Sequence, residues 1–158
     1  MEYRVCRNNP APYNDLNGKI SLLGLGTMRL PLRDAADQTS IDEEKAQEIF
    51  DYAYAHGVNY FDTAYPYHGG MSEKFCGKAL AKYPRASYHL ASKLPGWLLK
   101  CDEDVPRIFN EQLANCRTDY FDFYLAHSVH ESSWSNYAKY HAYDQLNDCL
   151  LYTSPSPR

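Results

Sequence analysis

An α/β protein with four strand–helix units on a parallel sheet is predicted by this chain on three observations. Short apolar runs alternate with longer segments of helical period from residue 20 onward. The connections between them are short, as βα units require. Polar residues recur at the ends of the apolar runs, where such sheets collect functional groups. Two architectures fit, a doubly wound open sheet or the first four units of a (β/α)8 barrel. A complete barrel takes roughly 250 residues, so a chain of 158 residues would be the N-terminal half of one, a truncated TIM barrel.

The elements follow in order. "ISLLGLGTMRL" (20–30) predicts a strand and then a turn. "SIDEEKAQEIFDYAYAHG" (40–57) predicts a helix, with Ser40 and Glu43 as a capping box and Gly57 as the stop. Ala46, Ile49, Phe50, Ala53 and Tyr54 share its apolar face. "VNYFDTA" (58–64) is the second strand, and "SEKFCGKALAKY" (72–83) a helix burying Phe75, Cys76, Ala79 and Leu80. "SYHLASKL" (87–94) is the third strand. "EDVPRIFNEQLANCR" (103–117) is a helix aligning Val105, Ile108, Phe109, Leu113 and Cys116. "YFDFYLAHSV" (120–129) is the fourth strand and "ESSWSNYAKYHAYDQLND" (131–148) a weaker helix.

The last ten residues, "CLLYTSPSPR" (149–158), have no helical period and carry two Ser-Pro pairs. A natural Pro/Ser tail would look like this. The string also resembles translated adapter read-through, and because the pattern of units stops at the same place, the native chain is expected to be lost near Asp148.

Composition excludes several classes. Hydrophobic residues are 44% and charged residues 23%, as in a soluble globular protein. The net charge of −4 and the scattered sixteen Lys and Arg argue against nucleic acid as the main partner. No run approaches the ~18 apolar residues of a membrane helix, and the opening "MEYRVCRNNPAPYN" shows no secretory h-region. Five cysteines without a C-x-x-C pair fit neither a disulfide framework nor a closed zinc site. A cytoplasmic protein is expected.

The strand ends carry the chemistry. Asp62 ends the second strand with Tyr67 five residues on, Ser92-Lys93 end the third, and His127 ends the fourth. Taken singly, Asp62 could cap a turn, Lys93 could be an exposed lysine, and His127 a core histidine. Jointly they make a unit, because buried charges need partners and Asp62 with Lys93 is the obvious pair. A tyrosine, with an ordinary pKa ≈ 10, becomes a usable acid beside an ammonium held by a carboxylate. A histidine beside it can orient a carbonyl oxygen. A metal module of His68, His127 and His130 is a weaker alternative, since its spacing is poor. "GLGTMR" is no Rossmann fingerprint: position 29 is arginine and no helix follows directly, which favours the barrel.

Together "LGLGTMRLP", "GVNYFDTAYPYHGGMSEK", "LASKLPGW" and "LANCRTDYFDFYLAHS" resemble the aldo-keto reductase superfamily across residues 1–148. The resemblance implies a (β/α)8 barrel that reduces aldehydes or ketones, small-molecule carbonyl substrates, with NADPH or NADH. It implies a catalytic set of Tyr67 as general acid, Lys93 and Asp62 as its tuning pair, and His127 as the substrate orienter. The nicotinamide end of the cofactor would reach Gly26, Thr27 and Met28 as well as Asp62. Tyr65 and Trp97 are expected as walls of the substrate pocket, and His68 as a loop residue. "YPYHGG" with "KLPGW" most resembles bacterial members that carry a C-terminal 4Fe–4S ferredoxin-like segment, which this chain does not contain. A non-catalytic half-barrel without cofactor binding is the alternative for the chain as it stands.

Overall fold

The computed structural model describes residues 1–5 and 19–153. Strands β1 (Tyr3–Val5) and β2 (Lys19–Ser21) pair antiparallel as a separate ribbon. A second sheet contains β3 (Leu25–Gly26), β4 (Tyr60–Asp62), β5 (His89–Leu94) and β6 (Phe123–Ala126), all parallel and in sequential order. A doubly wound sheet reverses its strand order at a switch point. This sheet never reverses, so the open alternative falls and the barrel arrangement stands.

The stretch 20–30 is therefore two strands in two sheets, not the single strand expected. The ribbon lies across the amino ends of the parallel strands. Asn59 holds it there, accepting from the Ser21 N–H at 2.8 Å and donating to the Lys19 carbonyl at 3.0 Å. Tyr3 adds a bond from its hydroxyl to the Gly57 carbonyl at 3.0 Å.

Helix α1 (Glu43–Ala55) starts later than its sequence suggests. Asp42 is its N-cap, accepting from the Lys45 N–H, while the Ser40 hydroxyl turns back to the Asp34 and Asp37 carbonyls. The expected capping box fails because Ile41 is bridged to Leu32, which keeps residue 41 extended. Gly57 does end the segment, at φ +86°. Ala46 and Phe50 are buried, but Ile49 is 40% exposed, so the stripe facing the sheet is narrower than expected.

Helices α2 (Met71–Leu80) and α3 (Asp104–Cys116) follow β4 and β5 and pack on each other. Phe50, Phe61, Phe75, Leu80, Leu90 and Phe109 fill the layer between helices and sheet. After β6 the expected single helix is broken in two, α4 (Glu131–Lys139) and α5 (Ala142–Thr153), where His141 adopts φ +46°. The last helix runs through Thr153, past the boundary expected after Asp148, and residues 154–158 lie outside the described residues. No helix among the described residues is long and apolar enough to cross a membrane.

A charged cluster ties the starts of β5 and β6. Arg85 donates to Asp122 at 2.7 Å, the Leu90 N–H to the same carboxylate at 2.8 Å, and the His89 ring lies 3.3 Å from its other oxygen. Burial alone would raise the Asp122 carboxyl, but the His89 hydrogen bond and the Arg85 charge together hold it below the usual carboxylate value. Its stabilisation is thus complete above the unfolded value of about 3.9 and is lost as pH falls through the lower folded value. Asp122→Asn is expected to lower the unfolding free energy by about 3 kcal/mol at pH 7 in urea titrations. The deficit should shrink as the wild type is acidified. An unchanged midpoint at pH 7 would show that the cluster does not hold these strand starts.

Candidate active site

Because β4, β5 and β6 run parallel and in register, their carboxyl ends open on one side. Asp62 is the last residue of β4, Lys93 the last but one of β5, and His127 the first residue past β6. Tyr67 starts a short 3-10 turn, Tyr67–Gly70, just beyond β4.

These four side chains meet. Lys93 Nζ donates to Asp62 Oδ1 at 2.6 Å and to the Thr63 carbonyl at 2.7 Å. The same ammonium lies 4.8 Å from the centre of the Tyr67 ring. Tyr67 and His127 meet edge to face with centroids 5.6 Å apart. The Trp97 ring stands 5.0 Å from His127 on the other side, where a pocket wall was expected.

His127 is electrostatically distinct. Burial disfavours its charged form, the nearby Lys93 charge adds to this, and Asp62 opposes it only in part. The imidazole is held below the ordinary histidine value and is neutral at pH 7. Its Nδ1 is buried with no hydrogen-bond partner among the described residues. A neutral ring in this place can donate one hydrogen bond into the mouth without adding a second cation beside Lys93.

Other expected residues stand differently. Tyr65 packs its ring against the buried group around Leu94 and Leu99, and its hydroxyl donates to Glu111 Oε2 at 2.7 Å on α3, beside a cavity it lines with Pro66 and Leu98. Thr27 is fully buried, its hydroxyl donating to the Asp62 carbonyl at 3.0 Å and lying 2.8 Å from Ser72 Oγ. It braces Asp62 and presents no side chain to the mouth. His68 is more than a passive loop residue. Its Nε2 accepts from the Leu30 N–H at 3.1 Å, so its proton sits on Nδ1 and is donated to the Gln38 carbonyl at 2.9 Å. With both nitrogens occupied it cannot join His127 and His130 in a metal site. Among the described residues no three His, Cys, Asp or Glu side chains are placed to hold a metal ion.

The nicotinamide fit rests on open space. A Cβ added at Gly26 would meet no heavy atom within 4 Å, and Met28 is 56% exposed beside it. A flat ring can approach the backbone of β3 there, next to Asp62 and Lys93.

A buried polar group behind Lys93 was not anticipated. Glu73, fully buried on α2, accepts from Ser92 Oγ at 2.7 Å, Gln112 Nε2 at 2.6 Å and Asn115 Nδ2 at 3.2 Å. Gln112 Nε2 also reaches the Lys93 carbonyl at 3.1 Å. The Tyr124 hydroxyl donates to Gln112 Oε1 and so turns the amide nitrogen toward Glu73. A signal was present: Glu73 and Gln112 sit on the apolar stripes of their helices, where a polar side chain must be paired.

Sheet order and helix placement are those of part of a (β/α)8 barrel. A sequence model of the aldo/keto reductase family matches residues 22–149, and the chain belongs to that family. It is 32% identical over 117 residues to L-galactose dehydrogenase of Arabidopsis thaliana, covering 70% of this chain and 35% of that protein. A holo-form aldo-keto reductase of Bacillus halodurans superposes with a TM-score of 0.64 at 28% identity, over 94% of this chain and 47% of that one. An aldo-keto reductase of Klebsiella pneumoniae solved with NADPH gives 0.60 at 24% identity, over 90% and 47%. The chain thus spans about a third of the length of the curated relatives it matches.

The ion pair can be weighed directly. Both side chains are largely sheltered, with relative exposures of 13% for Lys93 and 26% for Asp62. A double-mutant cycle of Lys93→Met and Asp62→Asn, read by thermal unfolding, is expected to give a coupling of about 1–2 kcal/mol. Strict additivity would mean that the two charges do not hold each other.

Proposed function

We propose that this chain is the N-terminal half of a NAD(P)H-dependent carbonyl reductase that converts aldehydes or ketones to alcohols. The second half of the barrel would come from sequence that follows it in the complete protein. The observation that carries this reading is the Lys93 ammonium, held by Asp62 under the face of Tyr67, with neutral His127 at the ring's edge.

Each of the four has a role in the reading. The Tyr67 hydroxyl, which bonds to no described residue, gives its proton to the carbonyl oxygen of the substrate. The Lys93 ammonium supplies positive charge where the phenolate forms, and Asp62 keeps that ammonium from drifting into solvent. His127 donates a hydrogen bond that fixes the carbonyl oxygen within reach of Tyr67. Trp97 shields the oxygen from water on the far side. A nicotinamide bound along Gly26 and Met28 would supply the hydride for the carbonyl carbon, completing the alcohol with the Tyr67 proton. The Klebsiella pneumoniae relative solved with NADPH supports this choice of cofactor.

Free thiols at Cys76, Cys101 and Cys116 support a reducing, cytoplasmic location. Burial pushes the Cys76 thiol up to about 12 and raises that of Cys116 as well, which makes both poor metal ligands.

The complete protein is expected to oxidise NADPH when an aldehyde or ketone is added, followed by loss of nicotinamide absorbance. Tyr67→Phe should lower kcat by at least about a hundredfold, the scale of a lost general acid. An unimpaired Tyr67→Phe enzyme would remove Tyr67 from the role of acid.

A second reading concerns the chain by itself. Among the described residues strands β3 and β6 each have a sheet neighbour on one side only, and Leu125 on β6 is 40% exposed. Open edges and uncovered apolar surface favour association over ligand binding. The isolated 158-residue chain is expected to show no saturable NADPH binding in a fluorescence titration. Tight, saturable binding would mean that these residues alone form the cofactor site.

A further inference from the structure

Tyr137, on α4, lies outside the four residues above, yet its hydroxyl touches the backbone beside two of them. The side chain is buried, 6% exposed, and reaches back across the ends of β5 and β6. Its oxygen accepts from the Gly96 N–H at 3.0 Å. Its single proton is shared between the carbonyls of Leu94 at 2.7 Å and His127 at 2.8 Å. The Leu94 carbonyl also receives the His127 N–H at 2.9 Å. One hydroxyl thus joins the residue after Lys93, His127 itself, and the loop that leads to Trp97.

The surrounding contacts are shaped for this. Asn136, the preceding residue, donates to the Gly96 carbonyl at 3.1 Å, so both polar groups of Gly96 are held by α4. A Cβ at position 96 would fall 2.5 Å from the Tyr137 ring, so only glycine lets the ring lie flat against the loop. Trp97 follows at once and stands against His127.

We propose that Tyr137 is a positioning residue that clamps the ends of β5 and β6 and thereby sets the direction in which His127 and Trp97 face the mouth. Parallel strands diverge past their last ladder bond, and the last such bond here is His127 N–H to Leu94. Beyond it, the His127 carbonyl has Tyr137 as its partner and the Gly96 N–H has the same hydroxyl. Removing the hydroxyl leaves the part-buried His127 carbonyl and the buried Gly96 N–H without this partner. They regain partners only if the strand ends part and admit water. The side chain most exposed to that change is His127, whose Nδ1 is buried without a partner among the described residues.

The groups facing His127 are Lys93, Asp62, Tyr67 and Trp97. None of them is altered by Tyr137→Phe, so a change in His127 titration reports its hydration and placement. The test is an NMR pH titration of the histidine-labelled chain, wild type against Tyr137→Phe. Wild-type His127 should titrate below the ordinary histidine value, and in Tyr137→Phe it should move up toward that value. Tyr140→Phe removes a hydroxyl at the end of the same helix that bonds to neither strand end among the described residues, and should leave His127 where it is. Asn136→Ala removes one of two donors to the Gly96 carbonyl, which keeps the Leu99 N–H at 3.3 Å, and should give a smaller rise; it decides the matter if Tyr137→Phe does not fold. An unmoved His127 in the folded variants overturns the clamp, as does an equal rise in Tyr140→Phe.

A kinetic arm rests on the carbonyl-reductase reading. In the complete protein, Tyr137→Phe should lower kcat about tenfold with little change in KM, as for a misaligned orienting group. Full turnover in that variant counts against the clamp. No turnover in the wild type overturns the reductase reading instead, and the titration still decides the clamp.

Discussion

A carboxylate buried under a parallel strand is the constraint on which this architecture turns. Glu73 lies on α2 beneath β5 with no exposure, and burial raises its carboxyl despite hydrogen bonds from Ser92, Gln112 and Asn115. Such a group is tolerated only where its partners are in place. Those partners come from β5 and α3, so satisfying one side chain fixes two helices against one strand. Gln112 then passes the constraint to the Lys93 carbonyl, and the Lys93 side chain passes it to Asp62 on the next strand. The mouth inherits its geometry from a polar core behind it.

The two ends of the sheet are finished in opposite ways. At the amino ends, the β1–β2 ribbon, Asn59 and the Arg85–Asp122–His89 cluster pair polar groups and close the surface. At the carboxyl ends, the Tyr67 hydroxyl and the buried His127 Nδ1 have no hydrogen-bond partner among the described residues, and Trp97 stays 45% exposed. Unpaired polar atoms beside a part-buried ion pair lower stability locally, and the proposed carbonyl substrate would need them. Paired polar groups are concentrated at one end of the strands and the proposed site at the other.

Much of this was legible along the chain. Asp62, Lys93 and His127 each follow an apolar run, and a charge or a histidine at the end of a buried strand is visible without coordinates. Tyr67 was recognisable only by its motif, since a tyrosine in a loop has no pattern of its own. The misplacements have local causes. Tyr65 was expected at a pocket wall, and its hydroxyl meets Glu111, a partner 46 residues away that no spacing rule reveals. Thr27 was expected to face a cofactor, but its hydroxyl satisfies the Asp62 carbonyl within the core. Ser40 lost its capping role to Asp42 because the Leu32–Ile41 bridge delays the helix. Glu73 and Gln112 were passed over because their stripes were read by apolar residues alone.

By itself the sequence determined the alternation of units, the strands that end in chemistry, and the residue types waiting there. Those depend on periodicity and on what a buried strand end can hold, both local properties. Only the tertiary structure decided that the strands stand in unbroken order, that Lys93 lies under Tyr67 while the Tyr65 hydroxyl meets Glu111, and that one hydroxyl on α4 joins Leu94, Gly96 and His127. Side-chain direction past the end of a strand is set by partners tens of residues distant, and a hydrogen bond across that separation leaves no period in the chain.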